Sequence, residues 1–111
     1  MKSAVLSLML ALVPGLGFAT ELYVFTRPGC GPCEKLKAAI QAEPDLFNGF
    51  DVHMIDSSEN PQIAGTWRVA SVPTIIVVED GKEVRRRVGF KGSSELRAWL
   101  DNQPRRRRLR Q

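Results

Sequence analysis

The stretch "RPGCGPCEKL", residues 27–36, holds both cysteines of the chain, Cys30 and Cys33, separated by Gly31 and Pro32. Two thiols at this spacing suit a metal clip, a covalent staple or a reversible dithiol. A structural zinc site takes four Cys or His ligands and a catalytic site at least three, whereas this chain supplies Cys30, Cys33 and His53 alone. A staple stabilises by closing a long loop of the unfolded chain, and a loop across two intervening residues removes little entropy. The dithiol fits best. Residues at i and i+3 on the first turn of a helix point the same way, so the sulfurs meet without distorting the backbone. Cys30, at the N-terminal end, would lie beside unpaired helix N–H groups and the positive end of the macrodipole, which stabilise a thiolate. Cys30 is therefore the candidate nucleophile toward a substrate disulfide, and Cys33, deeper in the helix, the candidate resolving thiol. Gly29, Gly31 and Pro32 flank the sulfurs, and the two glycines leave the approach free of side chains.

These roles need a strand to deliver the cysteines and a helix to begin at them. "ELYVFT", 21–26, is apolar, β-branched and aromatic, as in a buried strand, and Arg27-Pro28-Gly29 makes the turn. From about Cys30 to Ala42 the pattern is helical, with Leu36, Ala39 and Ile40 on one face and Glu34, Lys35 and Lys37 on the other, up to Pro44. Pro32 is tolerated in the first turn, where its missing N–H would have no partner. A second strand is expected over 50–57, with Phe50, Val52 and Met54 on one face, then a short helix over 59–66 started by Ser58 and Pro61. "TIIVV", 74–78, suits a central strand covered on both faces. Asp80-Gly81 signals a hairpin into "KEVRRRVGF", with Val84 and Val88 inward and Arg85 and Arg87 outward. Ser94 is the expected cap of a last helix carrying Leu96, Trp99 and Leu100, ended by Pro104. Two βαβ-like crossings and a hairpin predict an α/β fold, a mixed sheet with helices on both faces.

At 111 residues, 43% hydrophobic and 25% charged, the chain has room for one globular domain and is neither disordered nor collagen-like. Lys2 precedes an apolar run ending in Gly17-Phe18-Ala19, the pattern of a signal peptide over 1–19 cleaved after Ala19. Pro14, Gly15 and Gly17 break that run short of the about 20 residues of a membrane span. Export places the protein in the periplasm or another extracytoplasmic space, where a CxxC is open to oxidation. A reductant there needs an external electron donor. The formal charge of +4 is uneven, because Lys2 and the five arginines of the 104–111 tail leave ten basic against twelve acidic residues in 20–103. Such a tail is expected to stay solvated and disordered, the alternative being contact with anionic surfaces such as lipid headgroups or nucleic acid. No specific nucleic-acid partner is expected.

Cys-Gly-Pro-Cys after a strand and opening a helix resembles the thioredoxin family. "WRVASVPTIIVVEDGKEVRRRVGF", 67–90, is similar to the thioredoxin segment in which a hydrophobic-Pro-Thr precedes a buried strand, a Gly turn and a strand ending in Gly. The resemblance covers residues 21–101 and implies a thioredoxin-like fold with a four-stranded mixed sheet flanked by helices. It further implies that Pro73 is a cis-proline beside the disulfide, that Val72 offers backbone hydrogen bonds to a bound substrate strand, and that Gly89 borders the substrate groove. Several positions depart from the family. Gly29 stands where thioredoxins usually carry Trp, and Val24 where they bury an aspartate that assists Cys33, so proton transfer there needs water or another group. Thr20 leads almost directly into the active-site strand, without the family's preceding strand and helix. "VFTRPGC" looks instead like glutaredoxins, whose Cys-Pro-Tyr-Cys and late glycine pair are missing.

The reading is a minimal exported thiol:disulfide oxidoreductase, expected to act as a monomer on protein disulfides, without cofactor or metal beyond its Cys30–Cys33 pair. The Gly-Pro pair leans, by resemblance, toward the reductant direction. A thioredoxin-fold binding module with idle cysteines and a glutathione-dependent enzyme are the alternatives. Trp67 and Trp99 read as packing residues and His53 as structural, and Arg27 is either an electrostatic aid to Cys30 or a solvated side chain.

Overall fold

The computed structural model describes residues 20–102. The signal-peptide segment, the arginine tail and Pro104 lie outside the described residues. Seven elements follow in order: β1 (Thr20–Thr26), α1 (Gly31–Ala42), β2 (Phe50–Asp56), α2 (Pro61–Thr66), β3 (Thr74–Glu79), β4 (Lys82–Val88) and α3 (Ser93–Asp101). The strands form one sheet in the order β2-β1-β3-β4. β1 runs parallel to β2, with Thr20 opposite Phe50, and antiparallel to β3, with Tyr23 opposite Ile76. The sheet is therefore mixed and four-stranded, as expected. The expectation of two parallel-type crossings needs correction. Only β1-α1-β2 is one, because β3 returns antiparallel and puts the β3-β4 hairpin on the far side of β1.

β1 and β3 occupy the middle of the sheet and read as continuous apolar runs because both of their faces are covered. Leu22, Val24, Ile75 and Val77 pack with Leu36 of α1 and Leu96 and Leu100 of α3 on one face. Phe25, Ile76 and Val78 pack with Ala64 of α2 on the other. Each fully buried Leu, Ile, Val or Phe contributes about 1.5–3 kcal/mol of transfer free energy, so the two central strands hold much of the stability. The hairpin turns at Asp80 and Gly81, whose φ values of 53° and 76° match a type I′ turn.

The edge strands behave differently from their sequence pattern. Val84 and Val88 are exposed at 47% and 55%, not inward, because strand alternation turns them away from the Trp99 side that Arg85 and Arg87 take. Arg85 and Arg87, expected outward, instead lie over the Trp99 ring, with guanidinium carbons 4.5 and 5.6 Å from its centroid. A register shift between Val77 and Val78 accompanies this arrangement. Met54, on edge strand β2, is 48% exposed, while its neighbours Phe50 and Val52 pack on the core as expected. Two caps also move. Asn60 rather than Ser58 precedes α2, since Ser58 bonds Asp56, and Gly92 rather than Ser94 precedes α3.

Candidate functional site

β1 ends at Thr26 with its last side chains buried, and the chain then turns sharply through Pro28 and Gly29. Gly29 has φ +75°, a conformation that a side-chain-bearing residue adopts with strain, so glycine is required for the turn itself. Cys30 follows as the N-cap of α1, with extended backbone, and the Cys33 amide donates to its Sγ at 3.1 Å. The Cys30 carbonyl accepts from the Glu34 amide at 3.1 Å, the first bond of the helix. A sulfur thus takes the place that a capping oxygen usually holds, and the helix N–H groups that favour a Ser or Asp cap favour negative charge on that sulfur.

The two cysteines are joined as a disulfide, with Cα atoms 5.2 Å apart. Cys33 is completely buried, whereas Cys30 is partly exposed. Gly31 and Pro32, which lie between them at the helix tip, are both exposed. A Cβ added at Gly29 or Gly31 would meet nothing within 4 Å, so both glycines flanking Cys30 border open space.

The opposite wall comes from the loop between α2 and β3. Val72–Pro73 is a cis peptide bond. The Val72 carbonyl oxygen lies 3.7 Å from Cys30 Sγ, and Val72 itself is half-buried. Pro73 is buried, and its carbonyl accepts from the Gly89 amide at 2.8 Å. The Thr74 hydroxyl donates to the Ser71 carbonyl at 2.6 Å and fixes the strand end. Cys30, Cys33, Gly29, Gly31, Pro32, Val72, Pro73 and Gly89 are therefore gathered at one end of the sheet. Thr74 was not singled out from sequence, although a Thr directly after the proline was visible there.

Val24 is buried and packs in the cluster that holds Leu36, and the buried polar side chains among the described residues are Thr26 and Thr74. No buried carboxylate therefore stands behind Cys33 among the described residues. Arg27 is exposed. Trp67 is half-buried and meets Tyr23 edge-on at 4.9 Å between centroids, in keeping with packing. His53 bonds Glu21 at 2.9 Å and stacks edge-on with Tyr23, a structural role. With Glu21 and Asp51 it forms a group whose ligand-type atoms lie within 4.8 Å of one another. A count of cysteines and histidines misses this group, yet the His53–Glu21 bond already accounts for it.

The family model of a thioredoxin-like domain matches residues 19–104 of the chain. Thioredoxin H2 of Arabidopsis thaliana is 39% identical over 67 residues, 60% of this chain and 50% of that protein, so the chain spans half the length of this relative. The thioredoxin of Staphylococcus epidermidis is 34% identical over 82 residues, covering 73% of this chain and 79% of that one. Among solved structures, a mutant thioredoxin from Halobacterium salinarum NRC-1 superposes with a TM-score of 0.66 at 27% identity, covering 76% of this chain and 74% of that one.

Proposed function

The chain belongs to the thioredoxin-like domain family and is a thiol:disulfide oxidoreductase built on Cys30 and Cys33, and we propose that it reduces protein disulfides outside the cytoplasm with Cys30 as the attacking thiol. The observation that carries this assignment is the contrast between a buried Cys33 and a partly exposed Cys30 that receives an N–H bond at the helix tip. In the reduced protein the Cys30 thiolate attacks one sulfur of a substrate disulfide, forming a mixed disulfide and expelling the other substrate sulfur as a thiolate. Cys33, having lost its proton, attacks the Cys30 sulfur, closes the Cys30–Cys33 disulfide and releases the second substrate thiolate. Two electrons pass to the substrate, and the two protons of the dithiol end on its thiols. An external dithiol donor then restores the enzyme.

The substrate segment lies in the cleft between the Cys30 turn and Val72–Pro73, with Val72 offering backbone groups and Gly89 bordering the far side. Without a buried carboxylate, the Cys33 proton leaves through water or through the substrate's own thiolate. Export is supported by the pattern of residues 1–19, and the reductant direction by the Gly-Pro pair between the cysteines. The arginine run from Arg105 to Arg110 carries charge suited to contact with anionic surfaces.

Insulin reduction with dithiothreitol as donor tests the activity. Turnover is expected from the chain starting at Thr20, with a loss of more than about a hundredfold in Cys30→Ser, since the attacking group of a covalent route is removed. Intact insulin after prolonged incubation would favour a binding module instead, and turnover that depends on glutathione would favour the glutathione-linked alternative.

A further inference from the structure

The loop that faces Cys30, residues 67–73, is held at both ends. Its C-terminal end is fixed by Thr74 and Gly89, as described above. Its N-terminal end is bonded through its backbone to the last turn of α2 and is held besides by one side chain from the edge of the sheet. Arg86 of β4 donates from Nη2 to the Trp67 carbonyl at 2.7 Å and from Nη1 to the Arg68 carbonyl at 3.2 Å. The same guanidinium binds Glu83 through Nε and Nη2, both at 2.6 Å. Trp67 is the C-cap of α2, and Arg68 has φ +54°, an uncommon conformation for a residue with a side chain. The Trp67 carbonyl is among those that a helix leaves without an intrahelical partner at its C-terminus, the Arg68 carbonyl lies one residue beyond, and a cation there also meets the negative end of the helix.

We infer that Arg86, aimed by Glu83, is a positioning residue for substrate binding: it latches the start of the 67–73 loop so that Val72 presents its backbone to a disulfide substrate opposite Cys30. The inference rests on the oxidoreductase reading above and adds a determinant of affinity remote from the sulfurs. The planar fork is needed because one group must satisfy two carbonyls and a carboxylate at once. A lysine ammonium reaches one of them at a time. The latch acts on binding rather than on electron transfer, since the Cys30 cap and the Cys33 amide bond lie on α1, whereas the guanidinium of Arg86 bonds Glu83 and the carbonyls of Trp67 and Arg68.

The test is insulin kinetics on the full set Arg86→Ala, Arg86→Lys and Glu83→Gln, together with amide exchange at Val69, whose N–H bonds the Ala64 carbonyl at 2.9 Å in the same turn. In Arg86→Ala, KM for insulin is expected to rise about tenfold, the equivalent of ~1.4 kcal/mol, with kcat within about twofold and Val69 exchange faster by at least about tenfold. Arg86→Lys and Glu83→Gln should fall between this variant and the unaltered chain. Should Arg86→Ala fold poorly, the two milder variants carry the comparison. A fall in kcat with KM unchanged, or unaltered exchange at Val69, would overturn the latch. Loss of insulin turnover in the unaltered chain would instead strike the oxidoreductase reading, and only Val69 exchange would then bear on Arg86.

Discussion

Exchange between disulfides begins at whichever sulfur a second molecule can touch. Cys33 is sealed in the core and Cys30 sits at the rim, its sulfur bonded by the Cys33 amide, so accessibility and charge stabilisation point to the same atom. Sequence spacing already carried this conclusion, because the helix register alone ranks Cys30 ahead of Cys33. Gly29 was equally legible as an unobstructed position, although its left-handed backbone emerges only in the structure. Val72, Pro73 and Gly89 were found through resemblance to a family and not through any local signal, because nothing in a Val-Pro pair indicates a partner more than forty positions away. Arg86 was illegible for a related reason. In "VRRRV" three arginines look alike, and only the sheet register decides that Arg86 meets α2 while Arg85 and Arg87 meet Trp99.

At the scale of elements, hydrophobic pattern located the seven segments, and tertiary context decided their faces and caps. The central strands were legible because burial on both sides leaves an unbroken apolar run. β4 was not, since its alternating valines and arginines suggest the reverse of what the flanking helices allow. A long aliphatic stem with a cationic head lies over an indole as readily as a valine lies in a core. The attachment of α3 is also carried by charge. Arg97 of α3 bonds Glu43 at 2.9 Å and Asp45 at 3.0 Å, just beyond the end of α1. Bonds from Ser93 and then Arg97 hold the Glu43 carboxyl below its ordinary 4.5, and Arg97 holds Asp45 below its ordinary 3.8. A carboxylate with a depressed folded-state pKa adds stability above its unfolded value and loses it as pH falls through the folded one. Urea unfolding should therefore find Arg97→Ala less stable than the unaltered chain at pH 7, with a smaller gap at about pH 2, where the pH has fallen below the ordinary range of both carboxylates. A gap of equal size at both pH values would assign the role of Arg97 to packing alone.

On the scale of the whole molecule, a single sheet positions one reactive turn against one loop, and charge is divided between an acidic body and a basic tail. Ten basic residues face twelve acidic ones in 20–103, while five arginines follow within the last eight residues. Export predicts that the protein recovered from outside the cytoplasm has the mass of a chain beginning at Thr20. A full-length mass, or recovery with the cytoplasm, would contradict the proposed location. The central claim concerns the division of labour between the sulfurs, and trapping tests it most directly. In Cys33→Ser, a disulfide-bearing protein should remain covalently attached to Cys30 and be recovered as a mixed disulfide resolved by non-reducing electrophoresis and mass mapping. The Cys30→Ser variant should trap almost none, because its remaining thiol is buried. Equal adduct from both variants, or adduct mapped to Cys33, would contradict the account.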